Sequence, residues 1–211
     1  MKYEGNSSYY YPPRPTNAVM KMTLPTYNRL GWVAQVKKNG TCNLIAVSPE
    51  KQIFCMTRHN EPHKQWAPNK ESTEPFNVLP GKGWYLFVAE LMNNKVSGIK
   101  NINYINDILA SDGEHLVGTT FRERQKLIYS LFNASKGTET DSHYIVHPNL
   151  WIAKNHEGTD FKALFDTLEH NVDDEGLVIK NPNAKLALGS NKTANSGWMV
   201  KVRKLTKNYG F

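Results

Sequence analysis

Short stretches of alternating apolar and polar residues, separated by turn residues, limit the folds open to this chain more than any other feature. In the stretch 32–37 the alternation places Gln35 and Lys37 on one face of a predicted strand. The dipeptide Asn39-Gly40 predicts a tight turn. Two further strands are expected after it, at 41–47 and 52–57. The pattern therefore predicts a meander of short antiparallel strands.

The second half of the chain adds helices to this strand pattern. Thr120 and Glu123 form a capping box, in which the hydroxyl and the carboxylate each satisfy a free N–H group at a helix start. An apolar stripe follows, and Gly137 is expected to end this helix. A second helix is expected at 159–170. Further strands are predicted at 84–91, 101–109, 176–180 and 198–204.

The sequence contains no repeats, and its composition does not divide it into two parts, so we predict one α+β domain and place it at residues 21–211. Residues 1–20 are rich in Tyr, Pro, Asn and Ser, and we interpret them as an extended N-terminal arm. Residues 60–82 contain four prolines and are expected to form a loop.

Composition and charge restrict the function. Lys and Arg outnumber Asp and Glu by 26 to 19, which favours polyanionic partners such as nucleic acid or nucleotides. No apolar run approaches the ~18 residues that a membrane helix needs, and the N-terminus has no apolar segment of a signal peptide. Cys42 and Cys55 are the only cysteines and have no metal or redox spacing, which favours a reduced compartment. We therefore expect a cytoplasmic protein without a membrane partner.

Several common catalytic and nucleotide-binding patterns do not occur in the sequence. It contains no P-loop motif, no Gly-x-Gly-x-x-Gly and no Gly-x-Ser-x-Gly, so P-loop, Rossmann and serine-hydrolase sites lack support. Residues at four-residue spacing would suit zinc on a helix, at Cys55, His59 and His63 or at His143 and His147. The strand-like run before Cys55 and the proline at Pro62 argue against a helix in the first set.

Five charged residues stand out because of where they lie on the predicted strands. Lys37 ends a strand just before a glycine turn, and Glu90 closes an otherwise apolar strand face. Glu175 begins another apolar strand, where its carboxylate would suit a metal ion. Lys201 and Arg203 share one face of the last strand and together suit a phosphate. Taken singly, each position is also typical of a solvated turn, loop or edge strand.

In this order, these elements resemble the motifs of the nucleotidyltransferase superfamily, which contains the ATP-dependent polynucleotide ligases and the mRNA-capping enzymes. Lys-Lys-Asn-Gly at 37–40 is similar to the Lys-x-Asp-Gly nucleophile motif, and 175–180 to the Glu-Gly-x-Val-x-Lys motif. Glu90 in Phe-Val-Ala-Glu-Leu matches the ribose-binding acid, 104–127 resembles the stretch that follows it in DNA ligases, and 198–204 resembles the final Lys-x-Lys motif.

The resemblance covers about residues 25–204 and implies a fold and a mechanism. The implied fold is an α+β adenylation domain of antiparallel sheets flanked by helices, with the ATP pocket between the sheets. Lys37 would attack the α-phosphate of ATP and form a lysyl-AMP. The catalytic cations Lys201 and Arg203 would favour the neutral amine and neutralise phosphate charge.

The resemblance also implies binding roles. The residues that bind the ATP cofactor would be Gln35 for the adenine amino group, Glu90 for the ribose, Tyr104 for the adenine ring and Lys180 for a phosphate. Arg58 would hold the 5′-phosphate of a nucleic-acid end. Glu175 would hold Mg²⁺, or Mn²⁺ in its place.

The implied function is the joining of a 3′-hydroxyl to a 5′-phosphate in DNA or RNA, by a monomer that forms lysyl-AMP and an AMP-capped 5′-end. The sequence departs from DNA ligases at Asn39, Cys42, Asn106 and Arg203, which leaves RNA-ligase-like or mixed specificity open. We expect a compact, viral type of ligase without the C-terminal oligonucleotide-binding domain. A GTP-using mRNA-capping guanylyltransferase and a non-catalytic basic nucleic-acid-binding module are the alternatives.

Overall fold

The computed structural model describes residues 2–5, 10–15, 17–93, 95, 98–168, 171–187 and 197–204, and its strands form two sheets. The strands are β1 Asn17–Ala18, β2 Val33–Lys38, β3 Thr41–Val47, β4 Ile53–Met56, β5 Tyr85–Met92, β6 Ile102–Ser111, β7 Glu114–His115, β8 Thr138–Glu139, β9 His143–His147, β10 Leu150–Ala153, β11 Asp174–Lys180 and β12 Met199–Arg203. The helices are α1 Leu24–Arg29, α2 Lys70–Thr73, α3 Phe121–Leu131 and α4 Phe161–Thr167. Among the described residues, no helix is long and apolar enough to cross a membrane.

The smaller sheet has four strands in the order β1-β12-β11-β2, and only β1 runs parallel to its neighbour. One face of this sheet is apolar and packs on α1 and α4. The packed residues are Leu24, Ala34, Val36, Phe161, Phe165, Leu168, Leu177, Ile179, Val200 and Val202. Since successive strand residues point to opposite sides, the intervening residues of β2, β11 and β12 face the other way.

The larger sheet has eight strands, in the order β4-β3-β5-β6-β10-β9-β8 with β7 paired to β6. One face packs on α3 and forms the main core, which includes Ile45, Phe87, Ile105, Ile108, Ile128, Phe132 and Ile152. The start of α3 confirms the predicted capping box. The N–H of Glu123 donates to Oγ1 of Thr120 at 3.2 Å, and the N–H of Thr120 donates to Oε2 of Glu123 at 2.7 Å.

The turn at Asn39-Gly40 is a corner between the two sheets, not part of the expected meander. β2 pairs with β11 in the smaller sheet, whereas β3 pairs with β4 and β5 in the larger one. A Cβ atom at Gly40 would lie 2.5 Å from Cγ of Glu90 and 2.6 Å from the carbonyl oxygen of Leu91. Only glycine therefore lets the chain pass this close to β5. The corner brings the two sheets face to face.

Other expectations on secondary structure are wrong in detail. α3 ends at Leu131 rather than at Gly137, because Asn133 takes left-handed backbone angles with φ at 47°. The expected loop at 60–82 contains α2, which begins with a capping box of its own. The sequence does not predict β8, β9 and β10. α4 is shorter than expected, and the last predicted residues of that helix, 169–170, lie outside the described residues.

Candidate active site

A cleft of about 820 Å³ lies between the two sheets. Its walls are the polar face of β2, β11 and β12 on one side and residues of β3, β5 and β6 on the other. All nine residues that the sequence selects for the site line this cleft: Gln35, Lys37, Arg58, Glu90, Tyr104, Glu175, Lys180, Lys201 and Arg203. The fold therefore brings together residues from five strands and from the segment after β4.

Strand register sets the order of side chains on the wall formed by the smaller sheet. Lys37, Gly176 and Arg203 form one row across β2, β11 and β12. The next rows are Gln35, Val178 and Lys201, and then Val33, Lys180 and Met199. Because a strand rises about 3.3 Å per residue, the backbone of Lys180 lies ~13 Å from the row of Lys37.

A β-bulge turns Glu175 toward Lys37. Between Asp174 and Gly176 the register of β11 against β2 shifts, which leaves Glu175 as the extra residue. The bulge depends on Gly176, whose φ is 141°. A Cβ atom there would lie 2.0 Å from the carbonyl oxygen of Val202. The glycine of the sequence motif is thus required by the backbone that aims the neighbouring carboxylate.

Charged side chains gather around this bulge and form what we term the cationic end of the cleft, defined by Lys37, Glu175, Lys201 and Arg203. Nζ of Lys37 is ion-paired with Oε2 of Glu175. Nε of Arg203 lies 3.6 Å from the same oxygen. Burial lowers the pKa of Lys201, and the positive charges of Arg203 and Lys37 lower it further. Three cations around one carboxylate suit a polyphosphate.

Lys38 differs from the adjacent Lys37 in its surroundings. Nζ of Lys38 lies 2.7 Å from Oδ1 of Asp174, and the two side chains are 3% and 1% exposed. Nδ2 of Asn171 donates to the other oxygen of Asp174 at 2.7 Å. This buried pair joins the ends of β2 and β11 beside the bulge. Of the two adjacent lysines, Lys37 is therefore the more accessible one in the cleft.

Gln35 lines the cleft and is hydrogen-bonded to the amide side chains of Gln125 and Asn155, which are not among the lining residues; we term these three residues the amide end of the cleft. Nε2 of Gln35 donates to Oε1 of Gln125 at 3.2 Å and to Oδ1 of Asn155 at 2.9 Å. Nε2 of Gln125 donates to the carbonyl of Asn106 at 2.9 Å, and this bond fixes the orientation of Gln125 because a carbonyl can only accept. Oε1 of Gln35 is left as a buried acceptor without a hydrogen-bond partner among the described residues. A buried acceptor of this kind normally forms a hydrogen bond to a ligand or to a water molecule.

Lys180 lies near the amide end. Its Nζ donates to the Asn106 carbonyl at 3.2 Å and lies 4.4 Å from the centre of the Phe121 ring. Burial lowers the pKa of Lys180 to about 8, while the charge of Asp107 acts in the opposite direction. The expected contact between Lys180 and a phosphate stays a prediction.

The larger sheet contributes Glu90 and Tyr104. Burial raises the pKa of Glu90 to about 7, although the charges of Lys37 and Lys95 act against this rise. Tyr104 is 2% exposed, and its Oη donates to the carbonyl of Val36 at 2.9 Å. The tyrosine therefore joins the two sheets at the cleft, and its stacking on an adenine ring stays a prediction.

Sequence reasoning assigns no role in this site to several residues in or next to the cleft, and it considers His59 only as a zinc ligand. His59 accepts a hydrogen bond from Nε of the exposed Arg58 at 3.2 Å. Gln125 and Asn155 lie 90 and 120 residues from Gln35 along the chain, so no local pattern links them to it. Arg14 also lines the cleft, within the segment interpreted as an arm. The prolines on both sides of Arg14 are the one signal that could have drawn attention to it.

The residues present fit a metal ion that is held partly by a substrate. The described residues contain no group of three or more His, Cys, Asp or Glu side chains that could hold a metal ion. Glu175 and Glu90 line the same cleft, and the charge of Glu175 contributes to the raised pKa of Glu90. Mg²⁺ is commonly bound by one or two carboxylates together with phosphate oxygens. Glu175 thus suits Mg²⁺ in company with a polyphosphate.

Comparison with known proteins identifies the fold. No protein-family model and no curated protein matches the sequence. Among solved structures, mycobacterial DNA ligase D complexed with ATP and MES has a TM-score of 0.59 at 16% identity, over 92% of this chain and 60% of that one. The ATP-dependent DNA ligase of bacteriophage T7, in complex with ATP, has a TM-score of 0.60 at 12% identity, over 92% of this chain and 68% of that one. A Lig E DNA ligase has a TM-score of 0.53 at 13% identity, over 92% of this chain and 69% of that one.

These likenesses confirm the expected fold class, a mixed α+β arrangement of sheets and flanking helices like that of ligase nucleotidyltransferase domains. The chain spans about 60% of the length of the mycobacterial ligase D structures that it matches. At such low sequence identity the comparison concerns the fold, and the chemistry has to be argued from the cleft itself.

Proposed function

We propose that this chain is an ATP-dependent polynucleotide ligase, which joins a 3′-hydroxyl to a 5′-phosphate in DNA, RNA or both. One observation carries the proposal: the same sheet wall holds the Lys37 amine among other charged groups and, two residues along β2, an oxygen of Gln35 that has no hydrogen-bond partner in the described part of the chain. A nucleotide bound there would meet an acceptor for its base and cations for its phosphates. The ligase-like fold supports the same choice.

Lys37 would be the nucleophile toward the α-phosphate of ATP. Its Nζ forms a bond to phosphorus while the bond from that phosphorus to the bridging oxygen breaks, and pyrophosphate leaves with the electron pair. Lys37 gives up a proton to water in this step, and Lys201 and Arg203 line the same cleft beside it. The same two cations stabilise the negative charge on the phosphoryl oxygens.

An oxygen of a nucleic-acid 5′-phosphate would then attack the phosphorus of the lysyl-AMP, and the bond from that phosphorus to Nζ of Lys37 would break. A 3′-hydroxyl would next attack the phosphorus of the capped 5′-end, release AMP and lose its proton to water. Arg58, exposed at the edge of the cleft, would hold that 5′-phosphate. Glu90 would bind the ribose hydroxyls. Glu175 would hold Mg²⁺, which supplies neutralising charge for the phosphates. The excess of basic residues would bind the nucleic-acid backbone in a salt-dependent way.

The amide end favours ATP over GTP. Adenine carries an amino group, which donates, where guanine carries a carbonyl, which accepts. Oε1 of Gln35 is an acceptor, and the amide cannot turn over without losing the bonds from Nε2 to Gln125 and Asn155. Adenine would satisfy the buried oxygen, whereas guanine would place a second acceptor against it. This argues against the guanylyltransferase alternative.

Mass spectrometry of the purified chain after incubation with ATP and Mg²⁺ tests the proposal. We expect a fraction that is heavier by one adenylate, mapped to Lys37, and no guanylate adduct with GTP. Lys37→Ala should remove the adduct, whereas Lys126→Ala, at an exposed lysine on α3, should retain it. An adduct from GTP but not from ATP would contradict the choice of nucleotide. A chain that binds nucleic acid but forms no adduct would be a non-catalytic module.

The nature of the strands to be joined is tested separately. Nicked duplexes that are identical in sequence but built from DNA, RNA or hybrid strands can be sealed in parallel reactions. The departures from DNA ligases at Asn39, Cys42, Asn106 and Arg203 lead us to expect sealing of at least one RNA-containing nick. Sealing restricted to the all-DNA nick would contradict the mixed specificity.

A further inference from the structure

The first part of the N-terminal arm packs on the larger sheet, where Tyr3 and Tyr10 share a hydrophobic cluster with residues of β3, β5 and β6. The backbone N–H of Tyr3 donates to the carbonyl of Gly113 at 2.7 Å, and Oη of Tyr10 donates to the carbonyl of Ala187 at 2.7 Å. Both tyrosines are buried, and their rings lie 5.2 Å and 5.8 Å from the ring of His115. Two buried aromatic rings, one backbone hydrogen bond and one hydroxyl hydrogen bond therefore anchor the arm on this side of the cleft.

The second part of the arm belongs to the smaller sheet. Asn17 and Ala18 pair in parallel with Val200 and Lys201 of β12. The N–H of Val19 donates to the carbonyl of Lys201 at 2.9 Å. The arm is therefore hydrogen-bonded to the strand that carries one of the cations of the cationic end.

The residues between these two anchors line the cleft. They are Pro12, Pro13, Arg14 and Pro15. Each proline fixes its own φ near −65° and restricts the residue before it, so this run is stiffer than an ordinary loop. We use the term strap for residues 10–15 and 17–19, which connect an anchor on the larger sheet with an anchor on the smaller one.

Arg14 lines the cleft together with Lys201 on one wall and Cys42 on the other. It is among the positive charges that lower the pKa of Lys201, although burial is the largest cause. On the opposite wall, burial raises the pKa of Cys42 to about 12, and the charges of Arg58, Arg14 and Lys37 act against this rise. Arg14 also lies only three residues along the chain from Asn17, which pairs with Val200 of β12, so the backbone pairing places it near the strand that carries Lys201 and Arg203.

We propose that Arg14 binds the β- and γ-phosphates of ATP and that the strap is therefore a working part of the nucleotide site. The inference rests on the function proposed above. With the base at the amide end and the α-phosphate beside Lys37, the outer phosphates extend beyond the cations of β12 toward the strap. A guanidinium is suited to bind two phosphate oxygens at once. A stiff segment anchored at both ends fixes the backbone of Arg14, so less chain entropy is lost when the guanidinium binds.

Comparing the binding of ATP and of AMP to the full chain distinguishes a contact of Arg14 with the β- and γ-phosphates from a general effect of Arg14 on nucleotide binding. Isothermal titration calorimetry is carried out on the Lys37→Ala chain, which cannot react with ATP. AMP is the comparison ligand because it lacks the β- and γ-phosphates. Arg14→Ala should weaken ATP binding about 10- to 100-fold, as expected when a charge-assisted hydrogen-bonded contact is lost. Binding of AMP should change less than about twofold. Unchanged ATP binding, or an equal loss for both nucleotides, would overturn the inference.

A matched control and a conservative variant sharpen the test. Arg29→Ala changes an exposed arginine on α1, outside the cleft lining, and should leave both affinities unchanged. Arg14→Lys keeps the charge but loses the two-pronged contact, so it should recover part of the ATP affinity. Failure of the proposed function gives a different result, because neither ATP nor AMP would then bind the Lys37→Ala chain.

A kinetic comparison distinguishes ATP from nucleic acid as the partner of Arg14. With Lys37 intact, Arg14→Ala should slow formation of lysyl-AMP by a similar 10- to 100-fold or so. Sealing of a nick that already carries AMP on its 5′-phosphate needs no triphosphate and should proceed at the unchanged rate. A defect confined to this pre-adenylated nick would overturn the proposal and assign Arg14 to the nucleic acid.

Discussion

The cationic end and the amide end of the cleft are stabilised in different ways. The cationic end consists of charges on the neighbouring strands β2, β11 and β12, and an ion pair and a bulge hold it. The amide end joins neutral side chains from β2, from α3 and from the segment after β10 through hydrogen bonds. Ion pairs tolerate some change in geometry, whereas an amide is useful only in one orientation. Changes at the cationic end should therefore alter rate, and changes at the amide end should alter nucleotide choice.

Apart from loss of the nucleophile Lys37 itself, the largest expected effect is that of Glu175→Gln at the cationic end. The substitution removes the carboxylate that holds Lys37 and that would hold Mg²⁺. We expect lysyl-AMP formation to slow by about 100-fold or more, a typical loss for one electrostatic group in an active site. The preference for ATP over GTP should be retained because the amide end is untouched. Single-turnover labelling with each nucleotide measures both quantities.

The control for this prediction is Glu157→Gln, which removes the exposed ion pair between Glu157 and Arg122. Such a surface pair contributes little, so the rate should stay within about twofold of the unchanged protein. If Glu175→Gln instead altered the preference for ATP over GTP as much as the rate, the two ends would not be separable.

Glu90 allows a second prediction, on stability as a function of pH. Burial raises the pKa of Glu90 from 4.5 to about 7, so the folded protein keeps a proton that the unfolded chain has lost over this range. The stability that Glu90 contributes therefore falls as the pH rises through this window. Relative to Glu90→Gln, the unchanged protein should lose about 1–3 kcal/mol in unfolding free energy between about pH 5 and about pH 8.

Urea unfolding of both proteins at several pH values provides the measurement. The glutamine variant keeps the shape of the side chain but has no proton to lose at this site. Parallel stability curves for the two proteins would contradict the raised pKa of Glu90. In that case Glu90 would be ionised in the folded protein, like the charged residues of the cationic end, and would not be a neutral group in the cleft.

Much of the cationic end can be predicted from the sequence because its information is local. Alternation in β2 and β12 places Lys37, Lys201 and Arg203 on a common side, and the observed sheet has them there. The bulge at Glu175 is not predictable from alternation, since one extra residue reverses the face of every residue before it. The corner at Gly40 is missed for a similar reason, because a turn motif does not reveal which sheet the next strand joins.

The amide end and the strap depend on contacts between distant parts of the chain. Nothing near Gln35 in the sequence indicates that Gln125 or Asn155 fixes its amide, since tertiary packing alone brings them together. The strap is similar, because Pro-rich composition predicts an extended segment but not its place on the fold. Charged and polar residues that lie on one strand can thus be predicted from the sequence, whereas the distant side chains that orient them are identified only in the structure.

The smallest expected effect tests the amide end through Asn155. Asn155→Ala removes one acceptor from Nε2 of Gln35, so the amide gains freedom to turn its N–H toward a bound base. The preference for ATP over GTP in lysyl-nucleotide formation should then fall by about 3- to 10-fold, the worth of about one hydrogen bond. Asn155→Asp keeps an acceptor at this position and should retain the preference. An equal loss in both variants would mean that Asn155 acts through packing and that the orientation of Gln35 does not select the nucleotide.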